Sequence, residues 1–96
     1  MFVPVQLDKM RNLRYGMKAI SLIEKKFGKS IAKIDMDDMT MEEIATFVWA
    51  GLVHEDKELT VEKVMDLVDE YSTVQTVMEK VSEAMNLAFG GTVEKK

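Results

Sequence analysis

The spacing of apolar residues along the chain changes near Gly16. Before that point the apolar positions alternate with other residues, which is the two-residue period of a strand with one buried face. The alternating residues are Val3, Val5 and Leu7. Asp8-Lys9 follows them and can turn the chain into a second strand. The pattern predicts a short N-terminal β-hairpin, in which Pro4 restricts its strand to a sheet edge because it has no backbone N–H.

After Gly16 the apolar residues recur three and four positions apart, which is typical of amphipathic helices. Four stretches with this spacing predict helices at about residues 16–27, 41–53, 61–71 and 73–89. The predicted fold class is therefore mainly α, with about four helices and a short N-terminal hairpin. Residues 29–39 lack a strong period and are predicted to form a connecting loop, with Ile31 and Ile34 tucked onto the core.

Residues that cap helices mark where several of these helices begin. Thr40 and Glu43 have the spacing of a capping box, in which each side chain accepts a hydrogen bond from the other residue's backbone N–H. Thr60 repeats the cap role before the third helix, so the second and third helices are expected to form a helical hairpin. Ser72 and Gln75 make a further candidate box before the fourth helix.

Two glycines are informative about the helices. Gly28 follows the first helix and is predicted to end it in the left-handed conformation. Gly51 lies within the second helical pattern, where glycine costs about 1 kcal/mol relative to alanine. That cost is understandable if another backbone packs closely against Gly51, or if the helix is already ending there.

Length and composition indicate one soluble domain. A chain of 96 residues, 47% hydrophobic and 31% charged, has the size and composition of a single globular domain. We predict a helical domain over residues 1–90 and a polar, flexible tail over 91–96. The chain has no Cys, no apolar run near the ~20 residues that span a bilayer, and no signal-peptide pattern. We therefore expect a cytoplasmic protein without a membrane partner.

Charge is distributed unevenly along the chain. Residues 1–33 carry eight Lys or Arg and two acids, a net charge of +6, whereas residues 34–96 carry five and fifteen, a net charge of -10. The ordinary interpretation is a set of solvated helix faces, but opposite charges can also attract copies head to tail, which leaves self-association open. The basic residues are thinly spread, with Tyr15 and Phe27 as the only nearby rings, so nucleic acid is not an expected partner.

Residue patterns for catalysis, metals or cofactors are weak in this sequence. The single histidine, His54, lies beside two acids in a predicted loop, and we assign it no catalytic role. Three Asp residues at 35–38 resemble the start of a calcium loop, but Thr40 stands where glycine is needed and Thr46 where a bidentate Glu is needed. No glycine-rich phosphate loop is present. The sequence predicts a protein that is not an enzyme and that has no metal or cofactor.

Nine methionines are the main compositional anomaly. Methionine is unbranched and polarizable, and it suits surfaces that must adapt to a partner. Four methionines on apolar stripes are predicted to be core: Met17, Met65, Met78 and Met85. A candidate partner-binding patch consists of Met36, Met39, Met41, Phe47 and Trp49. Tryptophan is enriched at interface hot spots, but a single tryptophan is also common in a small core, and both interpretations of Trp49 stay open.

Two segments of the chain resemble a known family. They are LRYGMKAISLIEKKFGK at residues 13–29 and EEIATFVWAGLVHEDKELTVEKVMDLVDE at residues 42–70. The likeness covers roughly residues 7–71 and is carried by the IEKKFG ending and the WAGLVHEDKELT block. On these residues the chain resembles the tail assembly chaperones of long-tailed bacteriophages and prophages.

The resemblance implies a small, mostly α-helical protein that coats the tape measure protein during tail assembly in the bacterial cytoplasm and is absent from the mature virion. Tail tube protein is a second candidate partner. Many members are made in two lengths by a programmed ribosomal frameshift, and this chain would be the short product, diverging near Gly90-Gly91. The alternatives are a structural or connector protein of the phage particle and an unrelated helical adaptor.

Overall fold

Four helices follow an N-terminal hairpin in the computed structural model, which describes residues 3–35 and 38–88. The elements are β1 (Val3–Gln6), β2 (Met10–Leu13), α1 (Met17–Phe27), a short 3-10 helix (Ile31–Lys33), α2 (Met41–Leu52), α3 (Val61–Tyr71) and α4 (Val74–Ala88). The predicted fold class, mainly α with a short N-terminal hairpin, is confirmed. Residue 89, the predicted end of the fourth helix, and the predicted tail at 91–96 lie outside the described residues.

The hairpin follows the two-residue period of the sequence. Its strands pair antiparallel, with Val3 opposite Leu13 and Val5 opposite Arg11. Val3, Val5, Leu7 and Leu13 are all buried. The sheet has two strands, so the strand with Pro4 is an edge strand, where the missing N–H is tolerated. The alternation in the sequence therefore predicted the buried face of the hairpin correctly.

The predicted caps of α2 and α3 are present. Thr40 Oγ1 accepts a hydrogen bond from the Glu43 backbone N–H at 3.1 Å, and the Glu43 carboxylate accepts one from the Thr40 N–H at 2.9 Å, which completes the capping box. Thr60 Oγ1 accepts from the Lys63 N–H at 3.1 Å. At the end of α1, Gly28 has a φ of 71° and its N–H donates to Glu24, as predicted for a left-handed stop.

The predicted capping box at Ser72 and Gln75 is wrong by one residue. Thr73 caps α4, because its Oγ1 accepts a hydrogen bond from the Thr76 N–H at 3.1 Å. The Ser72 N–H still donates to the carbonyl of Val68 at 3.0 Å and so closes the last turn of α3. Since Ser72 ends one helix, the next residue takes the cap of the following helix.

The central element of the core is α2, which packs against α1, α3, α4 and β2. Eight of its twelve residues are buried. Phe47 lies at its centre with 0% exposure, and its ring contacts that of Phe27 edge-on at 5.5 Å between centroids. The Tyr15 hydroxyl donates to the Phe47 carbonyl at 2.6 Å. Helix α4 covers the hairpin, and Ile31 and Ile34 are partly buried against the core, as predicted.

Gly51 lies where Leu13, Arg14 and Tyr15 contact α2. The Arg14 N–H donates to the Gly51 carbonyl at 3.0 Å. A Cβ at this position would lie 2.8 Å from Tyr15 Cζ and 2.9 Å from Leu13 Cδ2. Of the two explanations left open by the sequence, the close approach is made by side chains of Tyr15 and Leu13 rather than by the expected backbone, and α2 also ends one residue later, at Leu52.

The prediction that Met17 is core is wrong. Its side chain is 91% exposed, whereas Met85 is buried and Met65 and Met78 are half-buried. The buried positions of α1 are Ala19 and Ile23. A helix turns about 100° per residue, so Met17, two residues before Ala19, lies on nearly the opposite side of the helix. Its spacing to Ile20 suggested the wrong face.

Candidate functional site

An open apolar groove lies between α2, α3 and the first turn of α4. Its volume is about 230 Å³, and its lining residues are Met41, Ile44, Ala45, Val48, Met65, Val68, Asp69, Val74 and Val77. We call it the α2–α3 groove. Asp69 is the single charged residue of this lining, so the groove offers contacts to apolar groups rather than a chemical centre.

The rim of the groove is formed by apolar residues at the starts of two helices. Met41 is the first residue of α2 and is 57% exposed, and Val74 is the first residue of α4 and is 39% exposed. Each follows a threonine whose side chain caps the helix. Because the caps hold the backbone at both positions, the rim residues are fixed in place while their side chains face solvent.

The floor of the groove belongs to the protein core. Val48 and Val77 are each 1% exposed, and Ala45 and Val68 are also buried. The half-buried Met65 forms part of the wall contributed by α3. A well-packed floor changes shape little, whereas two methionine side chains at the sides can adjust to an occupant because each has several rotatable bonds.

A second depression surrounds Trp49 and shares Met65 with the groove. Its lining also includes Glu42, Leu59 and Glu62. Trp49 is half-buried, and its Nε1–H donates to the Leu59 carbonyl at 2.8 Å. Lys26 Nζ lies 5.5 Å from the centre of the indole ring, within the range of a cation–π contact. The hydrogen bond to Leu59 and the contact with Lys26 therefore hold the indole ring in a half-buried position at the edge of the core.

The five residues of the predicted partner-binding patch are not all brought together. Met41 lines the groove, and Trp49 lines the neighbouring depression. Met39 is half-buried and packs against the core. Phe47 is fully buried on the inner side of α2, so the structure places it in the core instead of on a surface. Met36 lies outside the described residues.

Most of the groove was not identified from the sequence as a site. Residues that the sequence assigned to apolar stripes, or left without a role, form most of its lining: Ile44, Ala45, Val48, Val68, Val74 and Val77. One local signal was available, since an apolar residue directly after a helix-capping threonine lies at the edge of the buried stripe. Thr40-Met41 and Thr73-Val74 both have this form.

The electrostatic surroundings of the groove are acidic. Helix α3 carries four acids, Glu62, Asp66, Asp69 and Glu70, all exposed, against one cation, Lys63. Among residues 3–35 and 38–88, the salt bridges join Arg11 to Asp8 and Asp56, so no described cation lies within that distance of Asp69. The groove therefore combines an apolar lining with a carboxylate that has no salt-bridge partner among the described residues.

His54 lies in the loop after α2 and contacts the hairpin. Its Nε2 is 2.9 Å from the Asn12 carbonyl, and the neighbouring Glu55 carboxylate accepts hydrogen bonds from the Asn12 backbone and side chain at 3.1 and 3.0 Å. These Asn12 hydrogen bonds lower the pKa of Glu55. The contacts join the hairpin to the loop after α2. Within the described part of the chain, no three His, Asp or Glu residues are grouped so that they could hold a metal ion.

No helix among the described residues combines the length and apolar character needed to cross a bilayer. Comparison with protein-family models, curated proteins and solved structures gave no significant match. The geometry of the groove and the residues that carry the sequence resemblance are therefore the two sources of information about function.

Proposed function

We propose that this protein is a non-enzymatic tail assembly chaperone that binds the tape measure protein during phage tail morphogenesis, with the α2–α3 groove as its binding surface. The observation that carries this proposal is the open apolar groove of about 230 Å³ with Met41 and Val74 exposed at its rim. The sequence resemblance supplies the identity of the client, and the groove supplies the physical means of binding it.

The size of the groove suits part of a longer chain. Small-molecule pockets usually have volumes of ~300–1,000 Å³ and enclose most of their ligand. A groove of about 230 Å³ is smaller and open, so it accommodates a few side chains of a partner that extends beyond it. Insertion of apolar side chains from a helix into such a groove is a recurrent mode of protein recognition.

The distribution of exposed apolar side chains supports the same surface. Five large apolar residues are exposed among the described residues: Met10, Met17, Met41, Tyr71 and Val74. Two of the five lie at the rim of this one groove. Large contiguous apolar patches on soluble monomers often mark binding sites, and clustering of Met41 and Val74 on one groove is what distinguishes them from singly exposed apolar residues.

A chaperone of a long apolar client needs contacts that form and break. Methionine side chains at the groove walls can adapt to different segments of the client, so that binding need not depend on one sequence. The remaining elements of the proposal come from the resemblance. They are action in the host cytoplasm, absence from the mature virion, tail tube protein as a second partner, and synthesis as the short product of a frameshifted gene.

The test compares two substitutions of the same kind at two exposed methionines. Met41→Gln removes apolar contact in the groove, and Met17→Gln makes the same change at the first residue of α1, outside the groove. Tagged proteins are isolated from cells expressing the surrounding gene cluster, and captured proteins are quantified by mass spectrometry. Wild type and Met17→Gln should enrich the tape measure protein, and Met41→Gln should bind it about tenfold more weakly. Burial of a methionine side chain contributes ~1.5–3 kcal/mol, and 1.4 kcal/mol corresponds to tenfold in affinity.

Three outcomes would contradict the proposal. Failure of the wild-type protein to enrich the tape measure protein, in a lysate that contains it, would refute the chaperone function. Loss of capture with Met17→Gln but not with Met41→Gln would move the binding surface to the start of α1. Detection of the protein in purified particles would favour the structural or connector alternative. Thermal melts of both variants control for unfolding.

A further inference from the structure

We propose that the occupant of the α2–α3 groove is a single amphipathic helix that inserts apolar side chains and places a Lys or Arg against Asp69. This inference rests on the proposed function and specifies the chemistry of the client segment. It follows from the shape of the groove, from the elements that border it and from the charges around it.

The walls of the groove favour a helix over an extended strand. Every lining residue belongs to α2, α3 or the first turn of α4, and ridges of side chains on one helix pack into grooves of this kind. Binding by strand addition needs an open sheet edge. The hairpin lies elsewhere, with β2 packed against α2, where Arg14 just after β2 donates to Gly51, and with β1 packed against α4.

Charge complementarity specifies the flanks of that helix. Asp69 is exposed, lines the groove and has no described cation within salt-bridge distance. Helices α2 and α3, which supply most of the lining, together carry six acids and one cation, Lys63. A cationic residue beside the apolar stripe of the partner is attracted to this surface, whereas an acidic residue there is repelled.

The positive ends of two helix dipoles, those of α2 and α4, lie at the same rim. They repel a cation and so oppose the attraction by Asp69. Each contributes about half an elementary charge. At α2 this partial charge is offset by Glu42 and Glu43 in the first turn. The first turn of α4 contains no acid, so its partial charge remains, but it is smaller than the full charge of Asp69. The balance at the groove therefore favours a cation.

The probes for this inference are two synthetic peptides of about 18 residues, long enough to form a helix once docked. Both carry the same leucine stripe at helical spacing, with Lys beside the stripe in one and Glu in the other. Isothermal titration calorimetry of the full chain at low salt measures both affinities. The Lys peptide should bind about three- to tenfold more tightly, and the difference should shrink at high salt because exposed charges are screened.

Two charge reversals locate the effect. Asp69→Lys should abolish or reverse the preference for the Lys peptide. Glu83→Lys changes the net charge equally at an exposed α4 position outside the groove, and it should retain the preference within about twofold. Equal binding of both peptides, tighter binding of the Glu peptide, no binding of either, or an unchanged preference in Asp69→Lys would each overturn the inference.

Failure of this inference and failure of the proposed function give different results. Capture of the tape measure protein that is lost in Met41→Gln, together with no charge preference among the peptides, overturns the basic-helix inference alone. Charge-selective peptide binding without capture of the tape measure protein would instead show that the tape measure protein is not the client, while the basic-helix inference stands. A third case is that a second copy of this chain occupies the groove, and sedimentation of the free chain tests it. A dimer that is abolished by both Met41→Gln and Asp69→Lys would identify the second copy as the occupant and overturn the inference.

Discussion

At the scale of single residues, the absence of one methyl group at Gly51 determines how closely the hairpin packs on α2. A Cβ there would lie 2.8 Å from Tyr15 Cζ and 2.9 Å from both Leu13 Cδ2 and the Tyr15 hydroxyl. All three atoms belong to buried side chains with little room to move. Glycine therefore costs intrinsic helix stability at this position and allows a contact that alanine would prevent.

We expect Gly51→Ala to lower the free energy of unfolding by about 1–2 kcal/mol. Overpacking a core costs ~1–3 kcal/mol, which exceeds the gain of up to ~1 kcal/mol in helix propensity. Urea unfolding followed by circular dichroism measures the change. Gly16→Ala is the control, because no atom lies within 4 Å of a Cβ there, and it should cost less. A Gly51→Ala protein at least as stable as wild type would show that the hairpin can move away from α2.

Tyr15 makes stability depend on alkaline pH. Its burial raises the pKa of the phenol far above the ordinary value of 10, so the folded protein keeps the proton while the unfolded chain loses it above about pH 10. The free energy of unfolding should then fall by up to ~1.4 kcal/mol per pH unit above pH 10. Tyr15→Phe should remove this component, as well as the 2.6 Å hydrogen bond to Phe47. Urea titrations at pH 8, 10 and 11 compare the two proteins, and parallel pH dependence would contradict the expectation.

At the scale of elements, threonine caps set where helices begin and which side chains border the groove. Three helices start with threonine followed by an apolar residue: Thr40-Met41, Thr60-Val61 and Thr73-Val74. The cap satisfies a first-turn N–H that has no partner within the helix. The residue after it is exposed or half-buried in each case. These starts therefore place apolar side chains at the surface in defined positions.

Substitutions at two adjacent residues test the assignment of the α4 cap. Thr73→Ala should lower the free energy of unfolding by about 1 kcal/mol, because the Thr76 N–H loses its acceptor. Ser72→Ala should change it by less than about 0.5 kcal/mol, since no hydrogen bond of the Ser72 side chain supports the helix and surface changes of this kind are small. Chemical unfolding of both variants decides the matter. A larger loss in Ser72→Ala would restore the cap predicted from the sequence.

At the scale of the whole molecule, Arg11 connects the hairpin to the loop between α2 and α3. Its guanidinium donates to both carboxylate oxygens of Asp8 at 2.9 and 3.0 Å and lies 3.5 Å from Asp56. Arg11 is 5% exposed although it is charged. A buried cation requires such partners, because removing them would leave its charge uncompensated.

These contacts predict loss of stability in acid. The hydrogen bond from Arg11 lowers the pKa of Asp8, and those from Asn12 lower the pKa of Glu55. A carboxyl whose pKa is lower in the folded state contributes stability above its unfolded pKa of about 4, and this is lost as pH falls through the folded value. The melting temperature should therefore fall below about pH 4. Asp8→Asn and Glu55→Gln should each flatten this decline, and an unchanged decline in both variants would show that other groups cause it.

Features that depend on neighbours a few residues away were predictable from the amino-acid sequence. The two-residue and three-to-four-residue periods predicted the hairpin and the four helices, and Thr40, Thr60 and Gly28 marked helix ends within a residue or two. These signals are reliable because a cap or a turn of helix is formed by atoms within about four residues of one another. The cap of α4 was misplaced because Ser72 is also needed by the last turn of α3.

Which helix faces pack together and which remain open was not predictable without the three-dimensional packing of the helices. It placed Phe47 in the core and Met17 in solvent, and it assembled the groove from residues between Met41 and Val77 on three helices. The burial of a side chain depends on how whole helices rotate and pack against one another. The period of apolar residues in the sequence shows only that a helix has an apolar side. A groove that forms where the apolar sides of three helices meet cannot be recognised from the period of any one of these helices.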